Sequence, residues 1–142
     1  MPNYIFTGVL AVLLLLANIK GLDGLYFQYP WYDIPMHILG GIVLGLFIYQ
    51  ISNGVRVRKM LKPLSLSQMI IVVLLIGVSW EIFEIVFNLL NKPFGSAKYI
   101  VDTVKDLLDD IIGGIIGIYI AKAVNLAQMR FVASRSDSNR RK

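Results

Sequence analysis

Long apolar stretches alternate with short polar ones along this chain, and four stretches stand out: residues 4–19, 34–51, 69–90 and 104–124. A helix needs roughly 20 apolar residues, or about 17 at the low end, to cross the hydrocarbon core of a bilayer. The second and third stretches meet that length directly. The fourth meets it but carries acids in its first turns. The first, YIFTGVLAVLLLLANI, is the shortest. Its start, MPNY, has no basic residue and no A-x-A-like site follows, so it reads as a membrane span rather than a signal peptide. The pattern predicts an all-α integral membrane protein, a four-helix transmembrane bundle over residues 1–128. Residues 129–142 read as a basic, disordered tail.

Composition agrees. Of 142 residues, 56% are hydrophobic and 16% charged, well below the roughly 25% charged of soluble domains. The absence of cysteine excludes disulfides, thiolate metal sites and thiol nucleophiles. The formal charge of +5 is unevenly placed. Arg56, Arg58, Lys59 and Lys62 lie between the second and third spans, and Arg130, Arg135, Arg140, Arg141 and Lys142 follow the fourth. Lys20, Lys92 and Lys98 lie on the other side. By the positive-inside bias both termini are cytoplasmic, in a multi-pass protein of the cell inner membrane. Lys20, directly after the first span, is a weaker local signal the other way. The basic tail then reads as an anchor to anionic lipid, with no nucleic-acid role.

Against this background the stretch S-W-E-I-F-E-I-V is costly, because a carboxylate at mid-membrane costs ~2.5–3.5 kcal/mol. Seven acids sit in or beside spans two to four: Asp33, Glu81, Glu84, Asp102, Asp106, Asp109 and Asp110. At 1.5 Å rise per residue, His37 lies ~6 Å inside the outer end of its span, and Asp106 and Asp110 lie ~6 and ~12 Å inside theirs. Glu81 and Glu84 come out ~12 and ~8 Å deep in a core of ~30 Å. Three helices therefore place ionisable groups in the same half of the membrane. Asp33, His37, Gly41 and Gly45 form one helical stripe. Gly77, Glu81, Glu84 and Asn88 form a second, and Asp102, Asp106, Asp110, Gly113 and Gly117 a third. Small residues mark the faces where helices in lipid approach closely, so the acids point into the bundle. Trp31 and Tyr32 fall at a boundary, as interfacial aromatics do.

Several carboxylates in a low-dielectric bundle are either partly protonated or gathered around a cation. Oxygen ligands with one imidazole suit Mg²⁺, Mn²⁺, Ca²⁺ or Zn²⁺. The expected metal ligands are Asp33, His37, Glu81 and Asp106, with Glu84 or Asp110 as general base and Lys98 and Lys105 holding a substrate phosphate. Structural alternatives stand beside each. His37 has an interhelical hydrogen bond as an equal alternative, and a protonated Glu81 or Glu84 has Ser79, Asn88 or a carbonyl as partner. Asp102 is placed to cap the fourth helix, and Asp109 to pair with Lys105.

The motifs D-I-P-M-H-I-L-G-G, S-W-E-I-F-E and D-T-V-K-D-L-L-D-D-I-I-G-G resemble the signature of the YjdF-like bacterial inner-membrane proteins. The likeness falls on Asp33, His37, Gly41, Glu81, Glu84, Asp102, Thr103 and Asp106. The order is also similar to the wider VanZ-like group, linked to glycopeptide resistance, through Asp106, Asp110, Gly113 and Gly117. Glu84 stands where that group has glutamine, Asp110 where it has asparagine, and its arginine before the aspartate is missing. A fainter likeness to small bacterial diacylglycerol kinases rests on Lys105-Asp106 and Glu81/Asn88, without that family's E-x-x-N-x-x-x-E spacing.

Two classes of function follow. One is a metal-dependent membrane hydrolase, phosphatase-like, acting on a lipid-linked or cell-envelope substrate. The other is a non-enzymatic proton or cation transporter, or a partner subunit with an acidic intramembrane pocket. The lipid bilayer is the partner in each, and a homo-oligomer is compatible with all.

Overall fold

The computed structural model describes residues 4–29, 31–54, 62–87, 89 and 92–140. The protein is all-α, with four principal helices: α1 (Tyr4–Gln28), α2 (Asp33–Asn53), α3 (Leu66–Val86) and α4 (Ala97–Arg140). The first three are long and apolar enough to cross a membrane. Large apolar side chains such as Val12, Leu16, Ile71, Leu75, Ile112 and Ile116 cover the outside of the bundle. In water such a surface would drive association; in a bilayer it is the surface that lipid tails solvate.

Local chemistry sets the helix ends. Ser65 accepts from the Gln68 backbone N–H, and the Gln68 side chain accepts from the Ser65 N–H. This reciprocal cap starts α3 three residues before the apolar run at Met69. The expected end near residue 90 is shortened to Val86. Near the end of α1, Gly24 takes φ 136° within a wide turn over Gly21–Leu25, and the chain leaves the helix axis there. Gly95 at φ 76° serves the turn into α4, a backbone conformation glycine adopts without a Cβ clash. Ser96 accepts from the Tyr99 N–H at 3.2 Å and occupies the start of α4. Asp102, expected as the cap, lies inside the helix. The helix then runs 44 residues to Arg140, or ~66 Å, and takes in residues 129–140 of the segment that composition suggested to be a disordered tail.

The central contact is α2 against α4. A methyl group on Gly41 would strike the backbone of Asp110 and Gly114, and one on Gly45 the backbone of Gly114 and Ile118. Conversely, methyls on Gly113 and Gly117 would strike the backbones of Ile38 and Ile42. The two backbones lie in contact through glycines on both helices, the arrangement that favours helix pairing in lipid. Beyond this seam an apolar cluster of Ile48, Met69, Val73 and Ile118 joins α2, α3 and α4.

α1 packs on α2 and makes no comparable contact with α3 or α4 among the described residues. Its two ends are pinned by polar bonds. Tyr4 Oη donates to the Gln50 carbonyl at 3.2 Å, and Gln50 Nε2 donates to Thr7 Oγ1 at 2.8 Å. At the other end Tyr32 Oη donates to the Ala17 carbonyl at 2.9 Å. Tyr26 packs edge-on against Tyr32.

Candidate metal centre

The site lies where the glycine seam ends. Asp33 opens α2, and His37, one turn on, is brought over α4 by the close approach at Gly41. His37 is only 7% exposed. Its Nε2 lies 3.5 Å from Asp33 Oδ1 on the same helix, and its Nδ1 lies 3.2 Å from Asp110 Oδ1 on α4. One turn before Asp110, Asp106 is buried at 4% exposure. Ligating atoms of Asp33, His37 and Asp106 all lie within 4.8 Å of one another. Residues 73 positions apart in sequence thus meet because two glycine faces allow α2 and α4 to touch.

α3 adds two carboxylates. Glu81 is buried, and its Oε2 accepts from Thr103 Oγ1 on α4 at 2.8 Å. Its Oε1 is also buried and has no hydrogen-bond partner among the described residues. Glu81 is within electrostatic reach of His37, Asp33 and Asp110. Glu84 is half-buried and accepts from Trp80 Nε1 at 2.9 Å. Gly77, one turn before Glu81, leaves room for the Asp110 carboxylate, into which a methyl group there would run.

Among the described residues two cations lie close to these acids. Lys105 Nζ contacts Asp106 Oδ1 and stands 4.0 Å from Asp33 Oδ2. It therefore serves these two acids rather than Asp109, the partner its i+4 spacing suggested. Lys92 pairs with Asp102, which takes that acid out of the central group. Asp109 is half-buried with Oδ2 unpartnered among the described residues. Lys98 is exposed and takes no part in these ion pairs. Ser79 donates to the Leu75 carbonyl at 2.8 Å and is no partner for either glutamate. Asn88 lies outside the described residues.

The predicted ligands Asp33, His37 and Asp106 are thus together, with Asp110 bound to the imidazole, while Glu81 is held by Thr103 of α4 and stands outside that group of three. Spacing did not reveal three links: Thr103 to Glu81, Trp80 to Glu84, and Lys105 to Asp33. Thr103 did carry a signal, standing one turn from Asp106 in D-T-V-K-D.

The chain matches the family described as "Predicted membrane protein (DUF2238)" over residues 3–126, which takes in α1 to α3, α4 as far as Leu126, and every acid of the site. It belongs to that family. No curated protein and no solved structure matches it. Family and fold together make it a multi-pass membrane protein, and the lipid bilayer is its surrounding medium.

The donor set fits a hard or borderline divalent cation. Carboxylate oxygens and one imidazole are what Mg²⁺, Mn²⁺, Ca²⁺ and Zn²⁺ take. A ligating histidine characteristically gives its other ring N–H to a carboxylate, the position Asp110 occupies toward His37. A buried carboxylate oxygen without a donor, as at Glu81, carries a desolvation cost that a cation would offset.

Proposed function

We propose that this protein binds a divalent cation at Asp33, His37 and Asp106, with Glu81 as fourth ligand, and uses it on a lipid-linked or cell-envelope substrate. The observation that supports this most is the convergence of the three ligating atoms within 4.8 Å; Glu81 is added for its buried, unpartnered Oε1, which an ion would satisfy. Asp110 positions the imidazole, accepting from Nδ1–H and leaving Nε2 for the ion. This replaces the general-base role that its depth alone suggested. By the positive-inside bias both termini lie in the cytoplasm and the site toward the outer face of the inner membrane, with α4 taken as the fourth span. The motif likeness to YjdF-like and VanZ-like proteins supports an envelope role. The departures at Glu84 and Asp110 weigh against glycopeptide resistance itself.

The chemistry this arrangement suits is hydrolysis of a phosphate ester. A bound divalent ion supplies charge neutralisation for the phosphate and a water of lowered pKa. Glu84, held by Trp80 at one oxygen, accepts a proton from the attacking water with the other. The water oxygen bonds to phosphorus, the ester P–O bond breaks, and the leaving alkoxide takes up the proton that Glu84 accepted, which restores the Glu84 carboxylate. Lys105 is freed when Asp33 and Asp106 turn to the ion, and its ammonium then faces the phosphate. Lys98, nearer the surface, attracts it from outside.

The test is phosphate release from a synthetic phosphatidic acid by purified protein loaded with Mg²⁺, Mn²⁺, Ca²⁺ or Zn²⁺ in turn. Release that depends on the ion and falls at least about a hundredfold in Glu84→Gln supports the reading. Ion flux in proteoliposomes abolished by Glu84→Gln, without phosphate release, would assign the site to transport instead.

A further inference from the structure

His37 and Asp110 have a second face. Both also border a cavity of about 210 Å³ lined by α1, α2 and α3 and by Asp110 of α4. Its floor is α2, at Met36, Gly40, Val43 and Leu44, and its walls are Leu14 of α1 and Ile76 of α3. Because α1 packs on α2 and makes no comparable contact with α3 among the described residues, the cavity is a groove over α2 between α1 and α3, the gap through which a lipid beside the bundle would reach it. The volume holds roughly seven groups of water size.

The groove is polarised along its length. Asn18, Tyr26, His37, Trp80 and Asp110 lie toward one end, with Tyr26 Oη donating to Asn18 Oδ1 at 2.8 Å. From His37 to Leu44 the floor of α2 descends ~10 Å and becomes wholly apolar, as do Ala11 and Ile76 beside it. A lipid beside the bundle has the same order, a polar head near the interface and a chain toward mid-membrane. At this depth, with one side open to the bilayer, a hydrocarbon chain fits the apolar part and water does not.

We propose that the groove takes one acyl chain of a phosphate-headed lipid entering sideways from the bilayer, with the phosphate at the His37–Asp110 end next to the cation site. This rests on the metal-site reading for the headgroup, while the chain-binding part stands on the groove alone. Gly40 supports access, since a methyl group there would meet only Leu14, at 4.0 Å, so the floor is open rather than filled.

The experiment uses the full chain in nanodiscs, Mn²⁺-loaded, with phosphatidic acid carrying a diazirine within the first ~10 Å of one acyl chain, the length of the groove floor. After irradiation, labelled peptides are mapped by mass spectrometry. Label is expected at Leu14, Leu44 and Ile76 in excess over outward-facing Val12 and Ile71, and unlabelled phosphatidic acid should compete it away. Gly40→Leu and Ala11→Trp should each lower groove labelling about tenfold while bound manganese is retained. Equal labelling of groove and outward positions in the wild type overturns the proposal, whatever the variants do. Competition by diacylglycerol as strong as by phosphatidic acid overturns the phosphate assignment. Groove labelling in a wild type that holds no manganese leaves the chain-binding groove standing and removes the metal-site reading.

Discussion

Thr103 Oγ1 on α4 donates to Glu81 Oε2 on α3 at 2.8 Å, and the other oxygen of the same carboxylate is buried with no partner among the described residues. One hydroxyl thus aims a carboxyl group from a neighbouring helix and leaves its other oxygen directed elsewhere. In Thr103→Val, which keeps the side-chain shape, neither oxygen keeps its donor. The expected destabilisation is about 1–3 kcal/mol, read as an earlier thermal unfolding transition in detergent. Thr103→Ser should restore most of it.

Lys105 sits between Asp33 and Asp106, where it neutralises two of the acids that a cation would need. It therefore competes with the ion. Lys105→Met should raise divalent-cation affinity on the order of tenfold, a coupling of about 1.4 kcal/mol, measured by titration calorimetry with Mn²⁺. A purely structural network would respond with lower stability and unchanged cation binding.

Asp110 touches His37 at Nδ1. Its replacement by Asn keeps size but weakens the orientation of the imidazole and removes a nearby charge. Outer-shell partners of this kind are worth about 10–100-fold in metal affinity, and Asp110→Asn should lose that amount in the same titration. Stability without the ion should change less, because the amide can still bond the ring.

The glycine seam predicts a sharp positional contrast. Gly113→Leu forces a side chain into the backbone of Ile38, and overpacking of this kind costs typically 1–3 kcal/mol, with more expected where backbone must move. Gly8→Leu, where no atom would lie within 4 Å of the new Cβ, should leave the unfolding transition within about 0.5 kcal/mol of wild type.

The helical architecture was legible because an apolar run of span length has few alternatives in lipid. The shared stripe of Asp33, His37, Gly41 and Gly45 also gave the correct inward face of α2, since one periodicity fixes both the ligands and the contact. Rotation and height of α4 against its neighbours were less accessible. Asp110 meets His37, and Lys105 reaches Asp33, through the geometry of the Gly41–Gly114 crossing, which spacing within one helix does not encode. Asp102 reads as a cap from sequence, but Ser96 starts the helix earlier and Lys92 takes the carboxylate. The extension of α4 to Arg140 was hidden by its polar composition, because charge and serine content speak to solvation more than to backbone conformation.

The central claim is that side chains from three helices form one cation site, and metal content tests it most directly. Protein purified without chelator, supplied in turn with Mg²⁺, Mn²⁺, Ca²⁺ and Zn²⁺ and then washed, is assayed by elemental analysis alongside His37→Ala and Glu81→Gln. The account predicts close to one divalent ion per chain in the wild type for at least one metal. It predicts a large loss in both variants while their helical content is unchanged. A stably folded wild type that retains none of the four metals would contradict it.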